Sequence, residues 1–212
     1  MKVALVGATG PVGRRLMQEL IDRGHEVTAV VRNIENVPLH PRITAAKADI
    51  NDKTGFPDTL RGHDAIITSI RFLKSDPETL IGGIRASGVK RYLSVGGAAS
   101  LYAPGTTTKL IDSGQIPEQY LPEPTAGTVF FTRLQQEDAL DWTFLSPPMM
   151  FSNDEQFGTE PGGRTGTFRL GKDELLVDDQ GKSTISYEDF AVAMVDELEK
   201  PKHIRQRFTV AY

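Results

Sequence analysis

The chain of 212 residues contains no cysteine, which excludes a disulfide framework, a thiolate nucleophile and any cysteine-ligated metal or iron–sulfur site. Positive charge is not in excess either. With 24 lysines and arginines against 28 aspartates and glutamates, the formal net charge is −4, and no basic field exists to hold nucleic acid or an anionic membrane. Long apolar runs are missing. Val3 to Val6 is stopped at once by Gly7, too short for a signal peptide or a membrane span, and no later stretch approaches the required length. The four histidines, His25, His40, His63 and His203, are scattered with no carboxylate at ligand spacing, so no metal site is expected. No Gly-x-Ser-x-Gly elbow supports an esterase. The expectation is a soluble cytoplasmic protein without nucleic-acid or membrane partners, a monomer or homodimer.

What is present is an ordinary globular mix, 39% hydrophobic and 25% charged, enough to bury one large α/β core. Val3 to Val6 reads as a strand buried on both faces. From Pro11 to Arg23, Val12, Leu16 and Leu20 recur at helical spacing, with Pro11 suited to the first turn and Gly24 to the C-terminal cap. Glu26 to Val31 completes a βαβ unit. Further strands are expected at Ile43 to Ala48, Ala65 to Ile70, Val89 to Val95 and Trp142 to Ser146. Helices are expected from Asp76-Pro77 to Gly88 and over Ala126 to Leu140. Ser100 to Pro124 reads as irregular, and Ser152 to Gly166 as a long polar loop. Short strands at Thr167 to Leu170 and Leu175 to Val177, a capping box at Ser186-x-x-Asp189 opening a helix, and a strand at Arg207 to Tyr212 complete the chain. This alternation predicts an α/β fold: one domain over 1–212, a Rossmann-type doubly wound parallel sheet in a core of 1–148. A small C-terminal lobe, 149–212, is expected on the substrate side.

The stretch Gly7-Ala-Thr-Gly10-Pro-Val-Gly13 sits between the first strand and the first helix. Gly7 permits the tight turn, Gly10 lets the backbone approach a pyrophosphate, and Gly13 lets the helix pack closely on the sheet. The phosphates are expected at the helix N-terminus, beside Thr9, Pro11 and Val12. Glycines mark turns everywhere, so the weight rests on strand, helix and second strand all following on schedule. The second strand ends in Arg32, where a site preferring NAD usually carries an acid. A guanidinium suits a 2′-phosphate, with Arg14 as a helper, so NADPH is favoured over NADH, against the alternative that both arginines are solvated surface residues. Asp49 and Ile50 fall where the adenine would pack, although an Asp in a loop is often only a turn former.

With these residues placed, the chain resembles an atypical short-chain dehydrogenase/reductase of the NmrA-like, NADH-flavin-reductase-like branch, which is also similar to flavin/biliverdin reductase. The resemblance runs nearly the whole length, through GATGPVG at 7–13, VVRN at 30–33, SVGGAAS at 94–100, DWTFLSP at 141–147, GGRTGTFRLG at 162–171 and ISYEDFAVAMVDELEKPKHIRQRFTV at 185–210. It implies an NAD(P)H-binding fold and reductase activity toward a flavin, quinone or related acceptor. Members of the wider superfamily use a Tyr-x-x-x-Lys pair, in which the lysine tunes the tyrosine as a proton donor. Here Tyr120 has Pro124 at the fourth place and Tyr102 has Thr106, so that relay is missing. Arg71 and Phe72 are bulkier than expected beside a nicotinamide, and Ser152 to Glu160 reads as an insertion.

Ligands of open parallel sheets lie beyond the carboxyl ends of the strands. Thr68, Ser69, Ser94, Val95, Gly96 and Pro147 are therefore cofactor candidates. Ser94 matches the superfamily's active-site serine, against the alternative that it caps its own turn. Arg71, Phe72, Tyr120, Met149, Met150, Phe151 and Arg164 are substrate-side candidates, with core packing the rival reading for Met and Phe and a plain loop charge for Arg164. A flavin or quinone delocalises the incoming charge and takes its proton from solvent, so a hydride-transferring reductase for such acceptors fits a chain without the relay. The rival readings are a non-catalytic NADP(H)-binding redox sensor of the NmrA-like type and an epimerase or isomerase.

Overall fold

The computed structural model describes residues 1–151 and 163–212. The expected insertion Ser152 to Glu160 lies outside them. Strand β1 (Lys2–Val6) leads into helix α1 (Pro11–Asp22), which starts with Pro11 behind Gly10 at the N-cap. Gly24, at φ +84°, turns the chain back into β2 (Glu26–Val31). Then come β3 (Ile43–Lys47), α2 (Gly55–Leu60), β4 (Ala65–Thr68) and α3 (Pro77–Ala86). The Asp76 side chain caps α3 by accepting the Thr79 N–H at 2.8 Å. β5 (Arg91–Val95), α4 (Pro122–Leu134) and β6 (Asp141–Ser146) follow. β7 (Arg169–Gly171), α5 (Tyr187–Glu199) and β8 (Gln206–Ala211) close the chain. The Ser186 hydroxyl accepts the Asp189 N–H at 3.0 Å to start α5, as the capping-box spacing predicts.

The eight strands form one sheet in the order β3-β2-β1-β4-β5-β6-β8-β7. Every pairing is parallel except the edge pair β7·β8. The order reverses direction between β1 and β4, so a crevice opens there beyond the strand ends. Alternate residues feed two cores. Val3 and Leu5 pack with Leu16, Leu20, Phe190 and Met194 from α1 and α5. Ala4 and Val6 face the other way, into a layer with Phe56, Ile81, Ile84, Phe130 and Phe144. Each fully buried side chain of this kind contributes roughly 1.5–3 kcal/mol, so the sheet is a stiff platform for whatever its loops hold.

Three expectations need correction. The helix expected to run to Leu140 ends at Leu134, because the chain then folds around Glu137. Its carboxylate accepts the Ala139 N–H at 3.0 Å and its carbonyl accepts the Trp142 indole N–H at 3.1 Å. That helix also starts earlier, since Pro122 and Pro124 sit in its first turn where no N–H is needed. Leu175 to Val177 forms no strand. The Leu175 N–H donates to the Tyr102 carbonyl at 2.9 Å, which ties the segment to the loop after β5 and to a small cluster of Leu101, Ala103, Leu110 and Leu175. The short α2, Gly-Phe-Pro-Asp-Thr-Leu, carries too little periodicity to read from sequence.

Candidate functional site

Two adjoining clefts lie beyond the carboxyl ends of the parallel strands, with Ile70 in the wall of both. The first, of about 390 Å³, is formed by the turns after β1, β2, β3 and β4. Gly7, Thr9 and Gly10 make one side, Val31 and Arg32 the next, Asp49 to Asn51 the third, and Ser69, Arg71 and Lys74 the last.

The three loop glycines are not equivalent. Gly7 stands at φ +83°, and a Cβ there would lie 2.1 Å from the Ser69 carbonyl oxygen. At Gly13 a Cβ would lie 2.2 Å from the Gly7 carbonyl oxygen, so α1 can approach β1 this closely only without a side chain. Gly10 is different. Its φ of −69° and ψ of 167° suit any residue, and a Cβ would meet only the Gly7 oxygen, at 3.4 Å. Nothing inside the protein requires glycine at position 10. The open space faces the cleft, at the positive end of α1, which is what an approaching phosphate needs.

Arg32, Arg71 and Lys74 are exposed around this cleft, and among the described residues their side chains have no hydrogen-bond or ion-pair partner. Asp49 turns its carboxylate inward on its own loop, accepting the Asn51 N–H at 2.9 Å and the Asn51 side-chain amide at 3.1 Å. It is a turn former that also lines the cleft. The donor set fits a dinucleotide: a glycine cradle at a helix N-terminus, with free cations for phosphate.

The second cleft, of about 570 Å³, is apolar and lies beyond β5 and β6 against α4. Gly96 to Ser100, Pro147 to Phe151, Tyr120 and the first turns of α4 enclose it. A Cβ at Gly96 would lie 2.4 Å from the Phe144 ring, so packing demands that glycine. Phe72 forms part of the wall, with its ring 5.0 Å from that of Phe130 and 6.3 Å from that of Phe144. The Glu123 carboxylate, on α4, accepts the Phe72 N–H at 2.7 Å and the Leu73 N–H at 3.1 Å. It thereby pins the loop that carries Ile70, Arg71 and Lys74. Phe151 serves both readings given for it, lining the cleft while packing 4.6 Å from Phe190 and 4.8 Å from Tyr187.

Other candidates fall elsewhere. Thr68 and Ser94 are buried and line neither cleft. The Ser94 hydroxyl donates to the Val95 carbonyl at 3.2 Å and accepts from Thr68 Oγ1 at 3.4 Å, closing its own turn. Thr68 Oγ1 also lies 2.9 Å from the hydroxyl of Tyr92, whose pKa is pushed up to about 12 by complete burial, against the pull of those two hydroxyls. Val95 packs toward the α1/α5 core. Pro11, Val12 and Gly13 support the cradle from behind without lining it.

Arg71, expected on the substrate side, lines the first cleft. Arg164, also expected there, is held by Glu19 on the outer side of α1 through two contacts of 2.8 Å. Arg14, expected to help with the 2′-phosphate, donates from Nε to the Thr9 carbonyl at 3.0 Å and borders the same outer groove as Arg164. Two contributors were missed in the sequence. Lys74 had a signal, being a cation in the loop just past the fourth strand. Glu123 had none, since its partners are backbone groups some fifty residues away.

The sheet order and glycine turn define a Rossmann-type dinucleotide fold. A family model for NAD(P)H-binding proteins matches residues 7–201, and the chain belongs to that NAD(P)H-binding family. It is 36% identical over 219 aligned positions to the uncharacterized protein YwnB of Bacillus subtilis, covering 99% of this chain and 98% of the relative. Among solved structures it is similar to a candidate epimerase from Bacteroides thetaiotaomicron, at 41% identity and a TM-score of 0.90, over 100% and 96% of the two chains. It is also similar to a candidate NADH-flavin reductase from Streptococcus pneumoniae, at 34% identity and a TM-score of 0.83, over 100% and 99%. No helix among the described residues is long and apolar enough to cross a membrane.

Proposed function

We propose that the protein is an NADPH-dependent reductase that passes hydride to a planar conjugated acceptor such as a flavin or quinone. The observation that carries this reading is the pair of adjoining clefts, one polar and cationic beside the glycine cradle, the other apolar, with Ile70 common to both. NADPH, when bound, supplies a hydride with its electron pair; the acceptor takes these and a proton from water, leaving NADP⁺ and the two-electron-reduced acceptor.

The chain's part is to bind and to orient. Gly10 and the start of α1 would seat the pyrophosphate, and Arg32, with Arg71 and Lys74 opposite, would hold the 2′-phosphate. Ile70, Pro147 and Met149 would press the second ring into stacking distance and keep water from between the rings. No tyrosine in the chain is followed four residues later by lysine, which supports an acceptor that needs no tuned phenol as proton donor. Buried Ser94 and high-pKa Tyr92 supply no substitute.

A stopped-flow screen of NADPH oxidation tests the proposal. Flavins and quinones should be reduced well above the protein-free rate, and simple aldehydes and ketones negligibly. If no flavin or quinone exceeds the protein-free control, the reductase reading fails.

A further inference from the structure

The charges of the two clefts are segregated, and that segregation bears on the acceptor. The unpaired cations Arg32, Arg71 and Lys74 all line the first cleft. Among the described residues, the lining of the second holds no lysine, arginine or histidine, and its one charged group is the Glu123 carboxylate. From the loop before α4 the lining takes Leu110, Gln115, Ile116, Pro117 and Tyr120, none of them charged. A cation does touch the wall from behind: Arg207 donates to the Ser100 carbonyl and hydroxyl, both at 2.9 Å. It is buried, and its charge is matched by Asp173, whose carboxylate accepts from Arg207 Nε at 2.9 Å.

Resting on the reductase reading above, we infer that the second cleft selects an uncharged planar acceptor and discriminates against acceptors bearing phosphate or carboxylate. An anionic group there would meet an apolar wall and the Glu123 carboxylate, with no cation among the described lining residues to pair it, whereas the neutral ring gains from desolvation alone. The two clefts would thus sort their ligands by charge, the phosphorylated cofactor on one side and the neutral acceptor on the other. This separation also keeps the dinucleotide's own phosphates out of the acceptor cleft.

Riboflavin and FMN share one isoalloxazine ring and differ by a phosphate, so the pair isolates charge. Binding of each to the NADP⁺-saturated protein is followed by quenching of flavin fluorescence, and turnover is followed with NADPH. Riboflavin should bind about tenfold or more tightly than FMN at low ionic strength, with the gap narrowing at high salt because Coulomb repulsion is screened. Gln115→Lys, at an exposed position on the cleft rim, should bring FMN to within about threefold of riboflavin by adding the missing cation. FMN binding as tightly as riboflavin, a preference that salt leaves unchanged, or no binding of either flavin would overturn the inference. Selective binding of riboflavin with no flavin or quinone turned over would leave the charge selectivity standing and sink the reductase reading instead.

Discussion

The three glycines of the first turn should separate cleanly when each is replaced by alanine, because only two of them are needed by the fold. At Gly7 the methyl group would stand 2.1 Å from a carbonyl oxygen on a backbone at φ +83°. The left-handed conformation alone costs about 1–2 kcal/mol and overpacking about 1–3 more, so Gly7→Ala should lose roughly 2–5 kcal/mol. Gly13→Ala places its methyl 2.2 Å from the Gly7 oxygen and 3.0 Å from Ala8. Overpacking of about 1–3 kcal/mol is offset by up to about 1 kcal/mol of helix propensity, and because the atoms met are backbone the net loss should lie near the upper end, about 2 kcal/mol. Gly10→Ala meets only an ordinary contact of 3.4 Å at an unstrained φ. A more restricted unfolded chain gains about 0.4–1 kcal/mol, and the poorer N-cap loses a few tenths, so its stability should stay within about 0.5 kcal/mol of the parent. Its methyl would nevertheless occupy the path proposed for the pyrophosphate. Losing one or two charge-assisted hydrogen bonds of about 1.5–3 kcal/mol each should weaken NADPH binding at least tenfold. Urea unfolding without cofactor, which avoids stabilisation by ligand, gives the first quantity, and calorimetric titration of NADPH gives the second. A Gly10→Ala protein as destabilised as Gly13→Ala, or one that binds NADPH like the parent, would refute the reasoning.

Other expectations are narrower. Arg32→Ala should lower NADPH affinity about tenfold to a hundredfold and leave NADH nearly unchanged, since only the former brings a 2′-phosphate; equal losses for both would remove Arg32 from that role. Glu123→Ala leaves the Phe72 and Leu73 N–H groups without their acceptor, so thermal unfolding should show a loss of about 1–3 kcal/mol, and the Michaelis constant for NADPH should rise as Arg71 and Lys74 lose their anchor. Glu19 is buried, and its carboxyl is held below the usual range first by its hydrogen bonds from Arg164, then by Arg23, against the opposing effect of burial. Because the folded value is depressed, the stabilisation is complete above the unfolded value and is lost as pH falls through the folded one. Urea midpoints should therefore drop as pH falls below the ordinary glutamate range in the parent and drop less in Glu19→Gln; parallel curves would contradict this.

The central fold was legible because its signals are local and mutually consistent. The βαβ unit from Lys2 to Val31 needs only a four-residue buried run, a proline at a first helical turn and a glycine at φ +84°, each visible as a residue type. The caps at Asp76 and Ser186 are equally local. What failed depended on distant partners. Leu175 to Val177 has the residues of a strand, but its backbone is taken by Tyr102 in a loop more than seventy residues earlier. The residues past Leu134, up to Leu140, include no glycine or proline to stop a helix, yet Glu137 draws them into a turn by bonds to Ala139 and Trp142.

The site divides along the same line. Knowing where parallel strands end tells which loops face a ligand, and Gly10, Arg32, Ser69, Pro147 and Met149 all line the clefts that such loops form. It does not tell which way a side chain points at the strand end itself. Successive strand residues alternate between faces, so Tyr92 and Ser94 enter one core layer while Leu93 and Val95 enter the other, and none of the four projects upward into a cleft. The charged side chains of the first cleft, Arg32, Asp49, Arg71 and Lys74, all come from where the chain has left the sheet and lost that alternation. Arg32 and Arg71 stand one and three residues past the last paired positions of β2 and β4, and both are exposed on the first cleft. Chemistry near a strand end is therefore assigned more safely to the residues after the final ladder position than to polar residues within it. By that criterion Thr68 and Ser94, buried and bonded within the sheet, are set aside, and the cofactor site proposed above is drawn from the glycine turn and the cations that follow the strands.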